Sequence, residues 1–209
     1  MTGPALLILS EYGPPDRIFS GAIGQGRVLP LNDTELSDEV LDNATALITT
    51  MHLDQVGFGR QAAALERLLG RGGRIFFNGH LAIPFLPELA PFVPLSRRRR
   101  QDYDLVRLAD HPIFEGVDIK TLVTRKGVAG FYGRGHVPLP PGAMKVTGLG
   151  PERVPVDWEW RTPRGGAIFM HAGNELWSMG GNEDGAMSGI LVERVVDWSV
   201  GLDQGRFAA

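Results

Sequence analysis

A helix pattern runs directly into a buried-strand pattern in RQAAALERLLGRGGRIFFNGH, residues 60–80. Glycine at Gly70 or Gly72 ends the helix, and an apolar strand begins at Arg74. A helix followed at once by a fully apolar strand is typical of a sheet covered on both faces. The helical spacing predicts four core residues on the helix: Ala63, Leu65, Leu68 and Leu69.

The segments before residue 60 continue this alternation. Residues 5–10 (ALLILS) and 44–50 (ATALITT) are short apolar runs of the kind found in parallel strands. Between them, DTELSDEVLDN (33–43) predicts a helix that begins at an Asp33/Thr34 cap. The first half of the chain therefore predicts a doubly wound α/β fold.

The second half is richer in β-branched and aromatic residues. Glycine and proline separate its strand patterns, which predicts strands joined by turns. The predicted elements are strands within 121–133, 143–149 and 154–162, a buried strand over 167–170, and a helix over 188–201.

Composition excludes several classes of function. The 209 residues are 43% hydrophobic and 22% charged, as in an ordinary globular protein. Because the chain has no cysteine, no thiol nucleophile, thiolate metal ligand or disulfide is available, and a cytoplasmic location is expected. A net charge of −3 argues against nucleic acid as a partner. No apolar run is long enough to be a signal or to span a bilayer, so no membrane partner is expected either.

Histidines follow three of the predicted strands. His52 comes after ALITTM, His80 after RIFFNG, and His171 after AIFM, although the chain has only five histidines. Ligands in open α/β folds bind at the carboxyl ends of the strands, so a shared pocket for a small molecule is one interpretation. The alternative is that each histidine only caps a loop. The pocket interpretation requires these strands to be neighbours.

The interruption Asn78-Gly79-His80 predicts an exposed elbow at the end of its strand. Gly79 supplies the conformational freedom that such a turn needs. A helix beginning just after His80 would keep the imidazole neutral, and a neutral ring can accept a proton or hold a hydroxyl. Catalytic candidates are His80, His171 and, more weakly, Glu175; binding candidates are His52, Asp54, Asn78, Gly79 and Trp158.

The same residues include possible metal ligands. The three histidines, with Asp54, Asp157 or Glu175, have donor types suited to zinc, but none shows the local spacing of a metal motif. The glycine-rich segment WSMGGNEDGAMSG (177–189) has no phosphate-loop pattern and predicts a flexible loop at a pocket edge. We therefore predict neither a metal nor a cofactor.

Three other conspicuous stretches have simpler interpretations. The arginine run Arg97–Arg100 is flanked by aspartates and predicts a solvated loop, with a contact to phosphate, an acidic partner or another subunit as the alternatives. Alternation in VDWEWR (156–161) predicts a half-buried strand, from which Trp158 is one candidate to line a binding groove. His111 precedes Pro112 and is expected to shape a turn.

Three blocks carry a family resemblance: GRIFFNGHLA (73–82), DHPIFEGV (110–117) and GAIFMHAGNE (166–175). They resemble the ThuA-like (trehalose-utilisation) branch of the class I glutamine amidotransferase-like fold, over roughly residues 5–200. The resemblance implies one glutamine amidotransferase-like domain over 1–209. It also implies a three-layer, flavodoxin-like, mostly parallel sheet with helices on both faces and an added β-rich segment in the second half.

The resemblance also assigns roles to two histidines. In glutamine amidotransferases a cysteine in Gly-x-Cys-x-Gly is served by a histidine in His-x-Glu; here His80 occupies the cysteine position and His171 the histidine position. Asn78 and Ala82 replace the two glycines, and Glu175 lies four residues after His171 instead of two. Imidazole cannot form the thioester that glutamine hydrolysis requires, so glutaminase activity is excluded.

Two functional hypotheses follow. The first is an enzyme that acts on a small carbohydrate-like or carbonyl metabolite, with His80 and His171 as acid/base or orienting groups. The second is a non-catalytic protein of the same fold that binds a ligand or assembles with other subunits, such as a homo-oligomer. The enzyme hypothesis requires the two imidazoles to lie close together, with at least one open to solvent.

Overall fold

The computed structural model describes residues 3–10, 17–125, 127–179 and 186–202. Its strands in chain order are β1 (Ala5–Leu9), β2 (Val28–Asn32), β3 (Ala46–Thr49), β4 (Arg74–Asn78), β5 (Val93–Pro94), β6 (Leu105–Arg107), β7 (Thr124–Arg125), β8 (Val128–Ala129), β9 (Gly135–His136), β10 (Met144–Leu149), β11 (Val154–Arg161) and β12 (Ala167–His171). Its α-helices are α1 (Ser20–Gly24), α2 (Asp38–Asn43), α3 (Gln55–Arg60), α4 (Ala62–Gly70) and α5 (Ala186–Ser199). Short 3-10 helices cover Arg17–Phe19, Asp33–Glu35, Arg100–Tyr103, Pro112–Phe114, Ile119–Leu122 and Leu176–Met179.

Within these described residues, the main sheet has eight strands in the order β2-β1-β3-β4-β12-β11-β10-β6. The first five pair in parallel, and β11, β10 and β6 are added in antiparallel. Counting only the parallel strands, the order is 2-1-3-4-5, the flavodoxin-like arrangement. The protein is therefore α/β with a mostly parallel sheet, and β3, β4 and β12 are neighbours as the pocket interpretation requires.

Apolar side chains cover the central strands on both faces. On one face, Phe76 and Phe169 stack at 5.3 Å between ring centroids, and Trp198 of α5 meets Phe169 edge-on at 5.9 Å. On the other, Phe77 stacks on Phe85 at 5.7 Å. Each buried aromatic ring of this kind removes a large apolar area from water, so the centre of the sheet is the centre of the core.

The N-terminal region contains a strand that the sequence pattern did not predict. The strand β2 lies at the edge of the sheet and carries Pro30, which is tolerated there because an edge strand has an unpaired side. The predicted helix of 33–43 is also shorter than expected. It begins at Asp38, and Ser37 caps it by accepting a hydrogen bond from the Val40 N–H, instead of the Asp33/Thr34 pair.

Two further expectations were wrong in detail. In α4 the buried alanine is Ala64, while Ala63 is exposed. The strand β11 is buried on both faces from Val156 to Trp160, not half-buried, because α5 covers one side and the β-rich segment covers the other. Its carboxylates Asp157 and Glu159 therefore lie inside the protein.

No helix in the described ranges is both long enough and apolar enough to cross a bilayer.

Candidate functional site

The turn after β4 is a backbone elbow, as predicted, but only His80 of it is exposed; Asn78 and Gly79 are buried, contrary to expectation. Gly79 has a φ of +119°, a conformation that side-chain-bearing residues rarely adopt. A Cβ on Gly79 would also lie 3.1 Å from the Cα of Met51. The Gly79 N–H donates to the backbone carbonyl of His171 at 2.9 Å. Glycine at this position therefore lets the β4 turn lie against the end of β12.

The His80 side chain emerges from this elbow into solvent. Its ring stacks on Phe92 at 3.9 Å between centroids with a 16° tilt. Gln55 holds the backbone that follows the ring: its Nε2 donates to the His80 carbonyl at 2.8 Å, and its Oε1 accepts from the Ala82 N–H at 2.7 Å. The imidazole is therefore exposed but held in place.

No helix follows His80, so the condition for the helix-dipole argument is not met. Residues 81–99 form bends, turns and the short β5, and this stretch contains four prolines: Pro84, Pro87, Pro91 and Pro94. A helix dipole therefore cannot be what keeps the His80 ring neutral.

Burial and, after it, nearby positive charges take the place of that dipole. Partial burial of the ring, followed by the positive charges of His171 and Arg134, lowers the pKa of His80 below its ordinary value. A ring with a lowered pKa is neutral near pH 7 and can accept a proton or a hydrogen bond.

A pocket of 210 Å³ opens beside His80. Arg134 reaches it with its Nε donating to the Gly130 carbonyl at 2.9 Å. The described residues that line the pocket are His80, Gly130, Phe131, Gly133, Arg134 and Asn174. None of these lining residues is acidic.

Behind this pocket, buried polar side chains form one row across four strands. The sheet register pairs Asn78 with His171, His171 with Asp157, and Asp157 with Thr147. All four side chains are at most 1% exposed. Asn78 Oδ1 accepts from the backbone N–H of Leu176 at 3.2 Å, which ties the following 3-10 helix to the row.

His171 is a buried cation. Its Nδ1 lies 2.5 Å from Asp157 Oδ1, and its Nε2 lies 2.6 Å from the backbone oxygen of Asn174. A carboxylate and a carbonyl both accept hydrogen bonds, so each ring nitrogen must donate and the ring carries two protons. The pair is therefore an imidazolium–carboxylate ion pair with no exposed surface.

Two hydroxyls complete the environment of Asp157. Tyr132 and Thr147 both donate to its Oδ2. Burial and the Asp157 charge raise the pKa of Tyr132 well above its ordinary value, so its hydroxyl stays a donor. With three donors, the carboxylate is stabilised in its charged form without solvent.

The structure brings His80 and His171 to the same edge of the sheet, but the two side chains differ in exposure. His80 is exposed and lines the pocket. His171 is sealed, and it touches the pocket only through the Asn174 backbone that it holds. A ligand in this pocket could therefore touch the His80 side chain, whereas the His171 side chain contacts only protein atoms.

The remaining predicted residues lie elsewhere. His52 is exposed in the turn after β3 and does not line the pocket. Asp54 caps α3 by accepting from the Val56 N–H at 3.0 Å. Trp158 is fully buried with its Nε1 donating to the Val137 carbonyl at 3.0 Å, so it cannot line a groove. Glu175 is half-buried beside Asn174, and its carbonyl accepts from Ser178 Oγ.

His111 shapes a turn, as predicted, and also forms a second buried pair. Its Nδ1 accepts from the Ile113 N–H, so its Nε2 donates to Glu159 at 2.7 Å and the ring is neutral. Burial raises the pKa of Glu159, but the interaction with His111, then the charge of Arg161 and the hydrogen bond from Trp198, together outweigh it, so the pKa lies below its ordinary value. Trp198 also donates to this carboxylate, so the pair anchors α5 to the sheet.

The arginine run is solvent-exposed, as predicted. Arg100 pairs with Asp104, and Arg97 lies 3.8 Å from Glu152. Exposed pairs of this kind contribute little to stability. The prediction of a flexible loop over 177–189 is wrong for its described parts, because 177–179 lie in a 3-10 helix and 186–189 lie in α5; residues 180–185 are outside the described ranges.

No group of three or more histidine, aspartate or glutamate side chains is arranged to hold a metal ion in the described parts of the chain.

Sequence inspection missed the residues that complete the site: Phe92, Tyr132, Arg134, Thr147 and Asn174. One local signal was available. Glycine recurs around Arg134 in GFYGRGH (130–136), and closely spaced glycines indicate a backbone held against its neighbours.

No protein-family model matches the chain, and no curated protein matches it.

The lowered pKa of His80 gives a testable titration. The folded chain binds a proton at His80 less readily than the unfolded chain does, so the contribution of His80 to stability falls as pH drops below 6.5. In an NMR titration of the histidine ring signals, we expect the His80 midpoint below 6.5 in the wild type and a higher midpoint in Arg134→Gln. A wild-type midpoint above 6.5 would contradict the electrostatic description.

Proposed function

We propose that the protein binds a small, oxygen-rich metabolite of carbohydrate-like or carbonyl type in the His80 pocket and acts on it, with His80 as the proton acceptor. The observation that carries this proposal is an exposed, immobilised imidazole with a lowered pKa at the carboxyl edge of parallel strands. Ligands of open α/β sheets bind at that edge.

The size of the pocket supports a small ligand. Its 210 Å³ is below the roughly 300–1,000 Å³ of pockets that hold drug-sized molecules. The lining offers a guanidinium, an imidazole, an asparagine and glycine backbone, which suit hydroxyl and carbonyl oxygens better than an apolar molecule.

His80 has the chemistry that a general base needs. A neutral imidazole can remove a proton from a hydroxyl or from a carbon next to a carbonyl, and its lowered pKa keeps it neutral near pH 7. The buried Asp157–His171 pair supports this role, because the positive charge of His171 makes a second positive charge at His80 less favourable.

The same proposal places the chain in the ThuA-like branch of the glutamine amidotransferase-like fold. Two features support this: His80 stands on a glycine elbow after β4, and His171 ends the neighbouring β12. In the ThuA-like interpretation, the imidazole at the elbow replaces the thiol of the glutaminases and changes the reaction class.

A non-catalytic ligand-binding protein is the second candidate. The observation that favours it is that both ring nitrogens of His171 are bonded inside the protein, which leaves His80 as the only histidine among the described lining residues. One exposed base without a paired acid can hold a ligand through a hydrogen bond without turning it over.

A thermal-shift screen tests the pocket. We expect a member of a panel of aldoses, ketoses, polyols and 2-keto acids to raise the melting temperature of the wild type. At about 100 times its Kd a ligand stabilises by about 2.7 kcal/mol, or about 5–10 °C for a chain of this size. His80→Ala is expected to lose the shift, because the exposed ring contacts the ligand.

His52→Ala is the matched control, since it removes an exposed histidine that does not line the pocket. Equal shifts in wild type and His80→Ala would refute the assignment of the pocket. Incubating the bound compound with wild type and following it by NMR then separates the two candidates: conversion supports the enzyme, and an unchanged ligand supports the binding protein.

A further inference from the structure

The segment GFYGRGH, residues 130–136, is held too tightly to be an ordinary surface loop; we call it the glycine strap. A Cβ on Gly133 would lie 2.7 Å from a methyl of Val156, and one on Gly135 would overlap the Val93 carbonyl. Gly130 has a φ of +85° and lies against the Tyr103 ring. Each of these glycines is required by a close approach or by its backbone conformation.

Both neighbours of the glycine strap fix its position. On one side β9 pairs with β5, and the Leu95 N–H donates to the Arg134 carbonyl at 2.8 Å. On the other, Gly133 forms an antiparallel bridge with Gly173 beside His171. Tyr132 points inward and donates to Asp157. The backbone around Arg134 is therefore held by β5 on one side, by Gly173 on the other, and by the inward-facing Tyr132 side chain.

The Arg134 side chain is presented at the pocket. Its Nε is bonded to the Gly130 carbonyl, which orients the guanidinium, and no carboxylate of the described residues pairs with it. Both terminal nitrogens are left to donate. A planar guanidinium with two free donors matches a carboxylate or phosphoryl group in a two-point contact.

We propose that Arg134 binds an anionic oxygen group, a carboxylate or a phosphoryl, on the ligand that occupies the His80 pocket. This inference rests on the proposed function and adds the charge of the ligand to it. The local electrostatics agree: the described lining holds no acidic residue, Arg134 is charged, and the buried His171 cation lies behind the Asn174 backbone. The Arg134 charge, which no described carboxylate offsets, attracts an anion more strongly than a neutral sugar.

Small anions test this without knowledge of the natural ligand. Malonate and inorganic phosphate, each titrated at constant ionic strength against sodium chloride, serve as probes, and the His80 ring signals in NMR serve as the reporter. In the wild type we expect saturable shifts with at least one of the two anions, and a raised His80 pKa when it is bound. The preferred anion distinguishes a carboxylate from a phosphoryl ligand.

Three variants make the result specific. Arg134→Gln is expected to weaken anion binding at least about tenfold, because it removes a charge-assisted contact. Arg134→Lys keeps the charge and is expected to retain part of the affinity. Arg97→Gln removes an equal charge from an exposed arginine outside the pocket and is expected to bind like the wild type.

Saturable binding of neither anion by the wild type, or equal binding by Arg134→Gln, would overturn the inference. Its failure is distinguishable from failure of the proposed function. If a neutral polyol shifts the melting temperature through His80 but anions do not bind at Arg134, the pocket stands and the charge assignment falls. If anions bind through Arg134 while no panel compound depends on His80, the charge assignment stands and the proposed function fails.

Discussion

Replacing Asp157 by asparagine is expected to lower the free energy of unfolding by about 3–5 kcal/mol, the usual cost of removing one partner of a buried ion pair. The substitution keeps the shape of the side chain, so no cavity contributes. It leaves the His171 imidazolium buried without a counter-charge and weakens the acceptor for Tyr132 and Thr147. Urea denaturation followed by tryptophan fluorescence measures the change.

Asp110→Asn is the matched control for charge. The Asp110 side chain is 87% exposed and lies 3.8 Å from Arg107, so its removal is expected to cost no more than about 0.5 kcal/mol. If Asp157→Asn were as mild as Asp110→Asn, the pair would not be ionic in the folded protein, and the account of the His80 environment would have to change.

Gly173→Ala is expected to destabilise the protein by about 3 kcal/mol, at the upper end for an overpacked site. A Cβ at this position would overlap the Tyr132 carbonyl and lie 2.6 Å from His171 Nε2. The first obstacle is backbone, so the glycine strap and the end of β12 must move apart. Because Asn174 and Arg134 move with them, we also expect ligand-induced thermal shifts to disappear.

Gly189→Ala is the control for the same chemical change. Gly189 lies in α5, and no atom lies within 4 Å of the position that the alanine methyl group would take, so alanine is expected to stabilise the helix by up to about 1 kcal/mol. Opposite signs for the two variants in chemical denaturation would support the description of the Gly133–Gly173 contact. A stability of Gly173→Ala equal to that of the wild type would contradict it.

The sequence predicted those parts of the fold that have strong local patterns. The apolar runs at 5–10, 44–50 and 74–78 and the strand ending at His171 correspond to β1, β3, β4 and β12. Four neighbouring parallel strands are covered on both faces, so each is apolar along its length. This apolar composition identifies them in the sequence. The edge strand β2 escaped prediction because it is exposed at Leu29 and Pro30 and carries no such pattern.

The site was predictable only in part, for a physical reason. His80 and His171 were found because they follow strand ends that parallel pairing brings together. Their surroundings come from antiparallel strands and from a loop, where no rule links position in the chain to position at the edge. Asp157 sits in mid-strand and Arg134 in the glycine strap, and only the register of β11 against β12 brings that acid to His171.

The reversed direction of β11 has a consequence for how the pocket can change. Asp157 is supplied from the middle of a strand that runs against its neighbour, so the counter-charge of His171 does not depend on any connecting segment at the carboxyl edge. Insertions and deletions in edge segments that contain neither Tyr132 nor Asn174 would leave the ion pair and its hydrogen bonds intact. Redesign for new ligands can therefore vary the rest of the rim while the Asp157–His171 pair beneath it stays constant.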